Sequence, residues 1–170
     1  MSPEQRSSKA QLTLLRAEVT KTRAALSRHG QDARDLIARW GEPSRQDLAY
    51  GAFLVHAWYT ALESFFERVA TEVEADLPKG ESWHRELLVQ MALALPDLRP
   101  AVLPAALKRE LGKLLAFRHF FRHASAVVEE LEPEPIHEHL ERLLRIEPAV
   151  ILALDAFDGF LVQTLAILSG

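Results

Sequence analysis

The chain has 170 residues, 48% hydrophobic and 26% charged, and no cysteine; 20 Lys and Arg stand against 24 Asp and Glu, a formal net charge of −4. These values exclude a mainly disordered chain and fit one domain over residues 1–170, able to bury about two-thirds of its unfolded surface. The missing cysteines exclude a disulfide scaffold, a thiol nucleophile, a zinc ribbon and a cysteine-ligated iron–sulfur cluster, and the charge leaves nucleic acid only a local patch to bind.

Helical spacing recurs along the chain, and no stretch alternates long enough to argue for a strand. Helix one is predicted from about Pro3 to His29, with Leu12, Leu15, Val19, Thr22 and Leu26 as its apolar stripe and Gly30 as its stop. A short second piece over about Gln31 to Trp40 either follows separately or continues it after a bend. Helix two starts at Ser44, with Asp47 completing a capping-box pattern, and runs to about Asp76. Its Leu48, Phe53, Val55, Trp58, Tyr59, Leu62, Phe65, Phe66 and Val69 make it the most apolar and aromatic helix and place it at the centre. Helix three is short, Ser82 to about Leu95, and Pro96 ends it. Helix four is expected from about Pro104 to Glu130, and helix five from about Pro135 to Leu168 with a kink or break at Pro148. Long helices joined by short proline-marked loops predict an all-α, antiparallel up-and-down bundle of about five helices.

Met1 to Lys9 is polar and no apolar run follows, so no secretory signal is expected. Ala149 to Leu168 is the most apolar stretch, but it carries Asp155 and Asp158. It reads as a helix with one buried face, not a membrane anchor, and the expected location is the cytoplasm.

The densest polar chemistry is Phe117-Arg118-His119-Phe120-Phe121-Arg122-His123-Ala124. Arg118 and Arg122 share one helix face, and His119 and His123 share another. Phe117, Phe120 and Phe121 are expected to pack inward with Leu114. Arg118 and His123 are five residues apart, about 140° around a helix, and an arginine is long enough to reach back across that angle. Histidine can take a proton from a ribose 2′-hydroxyl or give one to a leaving 5′-oxygen. Arginine offers a fixed fork for the phosphate. The alternative is a solvated helix face neutralised by Glu110, Glu129 and Glu130.

The run from Leu115 to Ala124 resembles the signature of the HepT-like ribonuclease toxins of the HEPN superfamily, an arginine and a histidine separated by four to six residues. Ala57 to Ala70 and Ser82 to Met91 are also similar to bacterial members of that branch, and the likeness runs from about Leu12 to Leu165. The resemblance implies a HEPN homodimer in which Arg118 and His123 of both chains meet at the two-fold. It implies a toxin that cleaves RNA without metal or other cofactor, leaving a 2′,3′-cyclic phosphate, and a small nucleotidyltransferase antitoxin as partner. The family motif often continues to a tyrosine that the antitoxin modifies; here that position is Ser125. The rival implication is a non-catalytic HEPN subunit that partners a nucleotidyltransferase.

His119 and Arg122 are candidates for binding RNA phosphates, against ordinary surface roles. Glu63 either sits behind the site and orients Arg118 or His123, or is partly exposed and pairs with Arg68. Trp58 and Tyr59 are expected in the core rather than stacked on bases. His137, His139 and Glu141 lack a well-spaced third ligand, and no metal site is assigned.

Overall fold

The computed structural model describes residues 2–123 and 131–169, with only the helical backbone of His123. The described residues form five α-helices: α1 Pro3–Ile37, α2 Arg45–Val69, α3 Trp83–Met91, α4 Lys108–His123 and α5 Pro133–Ile167. The described residues hold no strand, only a single bridge between Leu95 and Arg99. The fold is an all-α bundle.

The direction of each helix can be read from its partners. Arg16 of α1 meets Asp158 of α5, Arg23 meets Asp155 and Arg34 meets Glu147, so these helices run antiparallel. Thr60 of α2 meets Arg118 and His56 meets Phe121, so α4 runs opposite to α2. Glu110 of α4 meets Arg142 and Phe117 meets His139, so α5 turns back again. The four long helices therefore go up and down in sequence, with α3 set into the connection between α2 and α4.

α1 is longer than its sequence suggests. It runs through Gly30 to Ile37 without the expected stop, because the stripe of Leu15, Val19, Thr22 and Leu26 continues as Gly30, Ala33 and Leu36, all buried. A β-carbon at Gly30 would fall 1.8 Å from Oε2 of Glu147, so glycine serves close approach to α5 here, not termination.

α2 starts as expected, with Ser44 and Asp47 capping each other's backbone N–H groups. Trp58, Tyr59, Leu62, Phe65 and Phe66 are fully enclosed between α1, α4 and α5. Such burial stabilises by roughly 1.5–3 kcal/mol per large side chain. The helix ends earlier than expected, in a π-turn over Ala70–Glu74 closed by Ala75 in the left-handed region at φ 53°.

α3 stops at Met91 rather than Leu95, and a 3-10 turn over Ala105–Leu107 precedes α4. The loop between α3 and α4 is fastened by buried Arg99. Its guanidinium pairs with Glu74 at 2.7 Å and donates to the carbonyls of Leu93, Pro100 and Gln90. The end expected for helix four, Glu130, lies outside the described residues.

α5 is one helix through Pro148, not two. Pro148 is exposed, while Glu147 and Val150 beside it are packed against the bundle and hold the chain in register across it. By length and composition alone α5 is apolar enough to cross a membrane; in the fold it lies along α1 and α2, with its two aspartates paired to α1.

Candidate active site

α4 turns Leu111, Leu114, Leu115 and Phe117 into the core. Phe120, expected inward, is half exposed, because the helix turn that buries Phe117 and Arg118 carries Phe120 away from α2. Arg118 takes an inward place instead. It is 6% exposed, and its Nη2 lies 2.8 Å from Oε2 of Glu63 on α2. Its Nε donates to Oγ1 of Thr60, one turn earlier on α2, at 3.1 Å. Nη1 has no hydrogen-bond partner among the described residues, although it is closed to solvent.

Glu63 is 2% exposed and therefore needs its charge balanced. Arg118 supplies one side. On the other, Oε1 lies 2.6 Å from Nδ1 of His84 on α3. Burial pushes the Glu63 carboxyl above the usual carboxylate range, against the pull of Arg118, His119 and Arg122. Burial also lowers the His84 pKa, as do Arg118 and Arg122, while Glu67 opposes them. The His84 ring stacks on Trp83 with centroids 3.6 Å apart and meets the edge of His119 at 4.8 Å. Tyr59 lies beneath this cluster, its hydroxyl without a partner among the described residues and its pKa raised by burial.

A cleft of about 330 Å³ opens between α3 and α4, lined by Ser82, His84 and Arg85 on one side and by Gly112, Ala116 and His119 on the other. Gly112, Ala116 and His119 share one face of α4, and the small size of the first two leaves the space.

The candidate residues therefore divide. Arg118 and Glu63 are joined directly, Glu63 is not paired with Arg68, and Arg68 pairs with Glu72. His119 lines the cleft. Arg122 is exposed at the end of α4, near enough to depress the pKa values of His56 and His84. Of His123 the helical position alone is described, one turn beyond His119. Ser125, Glu129 and Glu130 lie outside the described residues. Glu110 does not neutralise the cluster; it faces α5 and pairs with Arg142 and Arg145. Trp58 and Tyr59 are core, as expected. His137 lies 3.7 Å from Glu141, and His139 turns to Arg142.

His84 and Thr60 were not singled out as site residues. Thr60 stands one turn before Glu63 on a helix face that the sequence did reveal. His84 is separated from Glu63 by the π-turn and a loop, so no helical spacing connects them; its only signal is its place in the stretch from Ser82 to Met91.

The fold and site define an all-α bundle with a buried carboxylate that ties the arginine of helix four to a histidine of helix three. A family model described as HepT-like protein matches residues 51–161, well over half of the chain. The protein belongs to the HepT-like family, a branch of the HEPN superfamily. The match begins within α2, so most of the bundle is covered but α1 is not. No curated protein and no solved structure matches the chain.

Proposed function

We propose that this protein is an endoribonuclease toxin of the HepT-like type, cutting RNA by attack of a ribose 2′-hydroxyl on the adjacent phosphate. The observation that carries this reading is Arg118. Glu63 and Thr60 fix its guanidinium at one edge, and Nη1 remains without a partner among the described residues. A guanidinium fixed in advance loses little freedom when it receives the charge growing on a phosphate in the transition state.

His123 would serve as general acid or base, and His119 and Arg122 would hold flanking phosphates. The reaction forms the bond from O2′ to phosphorus, breaks the bond from phosphorus to O5′, and leaves a 2′,3′-cyclic phosphate and a 5′-hydroxyl. Proton transfer and phosphate binding suffice for it, so histidine and arginine can run it without a metal. DNA, lacking the 2′-hydroxyl, is spared.

One flank of α4 offers one wall. A homodimer with the site at its two-fold supplies a second and doubles the basic patch, which a chain of net charge −4 needs to hold RNA. The proposed setting is cytoplasmic, with a nucleotidyltransferase antitoxin as partner. With Ser125 in the place of the family tyrosine, control would rest on complex formation rather than on tyrosine modification.

The depth of Arg118 favours a second reading. An arginine so enclosed can act purely as a brace between α2 and α4, in a non-catalytic subunit that partners a nucleotidyltransferase. Purified protein incubated with bulk RNA, including tRNA, in excess EDTA separates the two. The ribonuclease reading expects cleavage with cyclic phosphate ends by the wild type and none by His123→Ala. A folded wild type that cuts none of several RNA pools supports the partner subunit, and equal cleavage by both proteins removes His123 from the chemistry.

A further inference from the structure

We propose that His84 is the general base of this site: its Nε2 takes the proton from the attacking 2′-hydroxyl while Glu63 holds the ring through Nδ1. The inference rests on the ribonuclease reading and deepens it.

The geometry is that of a carboxylate–histidine dyad. Oε1 of Glu63 lies 2.6 Å from Nδ1 of His84, and both residues are buried. A carboxylate accepts, so Nδ1 carries the hydrogen and Nε2 is left with a lone pair. The ring lines the cleft between α3 and α4, and stacking on Trp83 fixes its plane. A structural histidine needs only the bond to Glu63. This one also lines, across from His119, a cleft large enough for part of a nucleotide.

The second oxygen of the same carboxylate holds Arg118 at 2.8 Å. The proposed base and the phosphate-binding arginine therefore hang on one side chain, at 2.6 Å and 2.8 Å from its two oxygens. The groups facing His84 are Glu63 and Glu67 from α2 and Arg118, His119 and Arg122 from α4, with Arg85 beside it on α3. The burial and the two arginines keep the ring neutral near pH 7, the form a base requires.

The step balances. Nε2 of His84 takes the proton as O2′ bonds to phosphorus, and the departing O5′ takes a proton from the imidazolium of His123. Exchange with water resets both rings.

The test is His84→Asn, whose amide still donates to Glu63 but has no titratable nitrogen. It is compared with wild type for kcat/KM on a defined RNA across pH, in excess EDTA, alongside its melting temperature. The expected result is a loss of about 100-fold or more, with the acidic limb of the wild-type profile gone. A wild-type rate overturns the proposal. So does an equal loss at every pH with the acidic limb kept, which would make His84 a brace. If the variant does not fold, histidine-labelled wild type is followed by NMR while an uncleavable 2′-deoxy dinucleotide is added. The Nε2 resonance of His84 should move, and a resonance that stays fixed overturns the proposal. A wild type that cuts no RNA removes the ribonuclease reading and this inference together; a cutting wild type with an equally active His84→Asn removes this inference alone.

Discussion

Glu63 Oε2 lies 2.8 Å from Nη2 of Arg118, joining the central helix to the arginine of α4 where both side chains are closed to solvent. Glu63→Gln keeps the shape and removes the charge. The amide oxygen would stay with Arg118, turning the amide nitrogen toward Nδ1 of His84 and forcing that ring into the opposite tautomer. An uncompensated buried guanidinium costs roughly 3–5 kcal/mol. Urea unfolding should show a loss of that order at pH 7, and RNA cleavage should fall about 100-fold or more in protein that remains folded. A Gln variant as stable and as active as wild type would remove Glu63 from both roles.

Gly30 makes a second close relationship, against the carboxylate of Glu147. In an open helix Gly→Ala stabilises by about 1 kcal/mol. Here the added carbon would displace a carboxylate that accepts from Trp58 Nε1 and Arg34 Nη1, both at 3.3 Å. Loss of those bonds outweighs the helix gain, leaving Gly30→Ala about 1–2 kcal/mol less stable. In a Glu147→Ala background the obstruction is gone, and the same substitution should stabilise by about 1 kcal/mol. The reversal of sign, read by denaturant unfolding, is the check; the same sign in both backgrounds would show that Glu147 is not what Gly30 accommodates.

These two sites mark what the sequence could and could not reveal. Periodicity identified the stripe of α1 and the aromatic heart of α2, and Ser44 with Asp47 marked a start correctly. Gly30 misled because a glycine after an apolar run looks the same whether it ends a helix or admits a neighbour. At Pro148 a break does not occur: packing on either side of an exposed proline carries α5 past it as a single helix. At the site, the Arg118 motif was visible as a local string, and Glu63 stood out as a charge in an apolar run. His84 was not visible, because a π-turn and a loop separate it from Glu63, and only the folded chain brings them together.

His139 supplies a prediction about pH that leaves the site untouched. Its Nδ1 lies 2.9 Å from Nη1 of Arg142, and the ring packs on Phe117. Arginine can only donate, so the ring is neutral and accepts at Nδ1. Burial lowers its pKa below 6.5, and Arg142 lowers it further. The unfolded chain therefore binds a proton more readily than the fold. The contribution is fully present above about pH 6.5 and is lost as pH falls toward the folded value. His29, His56 and His84 have the same sign, so unfolding free energy should drop between pH 7 and 5.5. Glu63 and Glu67, whose pKa values are raised, act in the opposite direction but are common to any pair of proteins compared. His139→Gln keeps an acceptor for Arg142 and removes the titration. Urea midpoints at the two pH values should show a smaller drop for the Gln variant than for wild type, and an identical drop would show that folding leaves the His139 pKa where the unfolded chain has it.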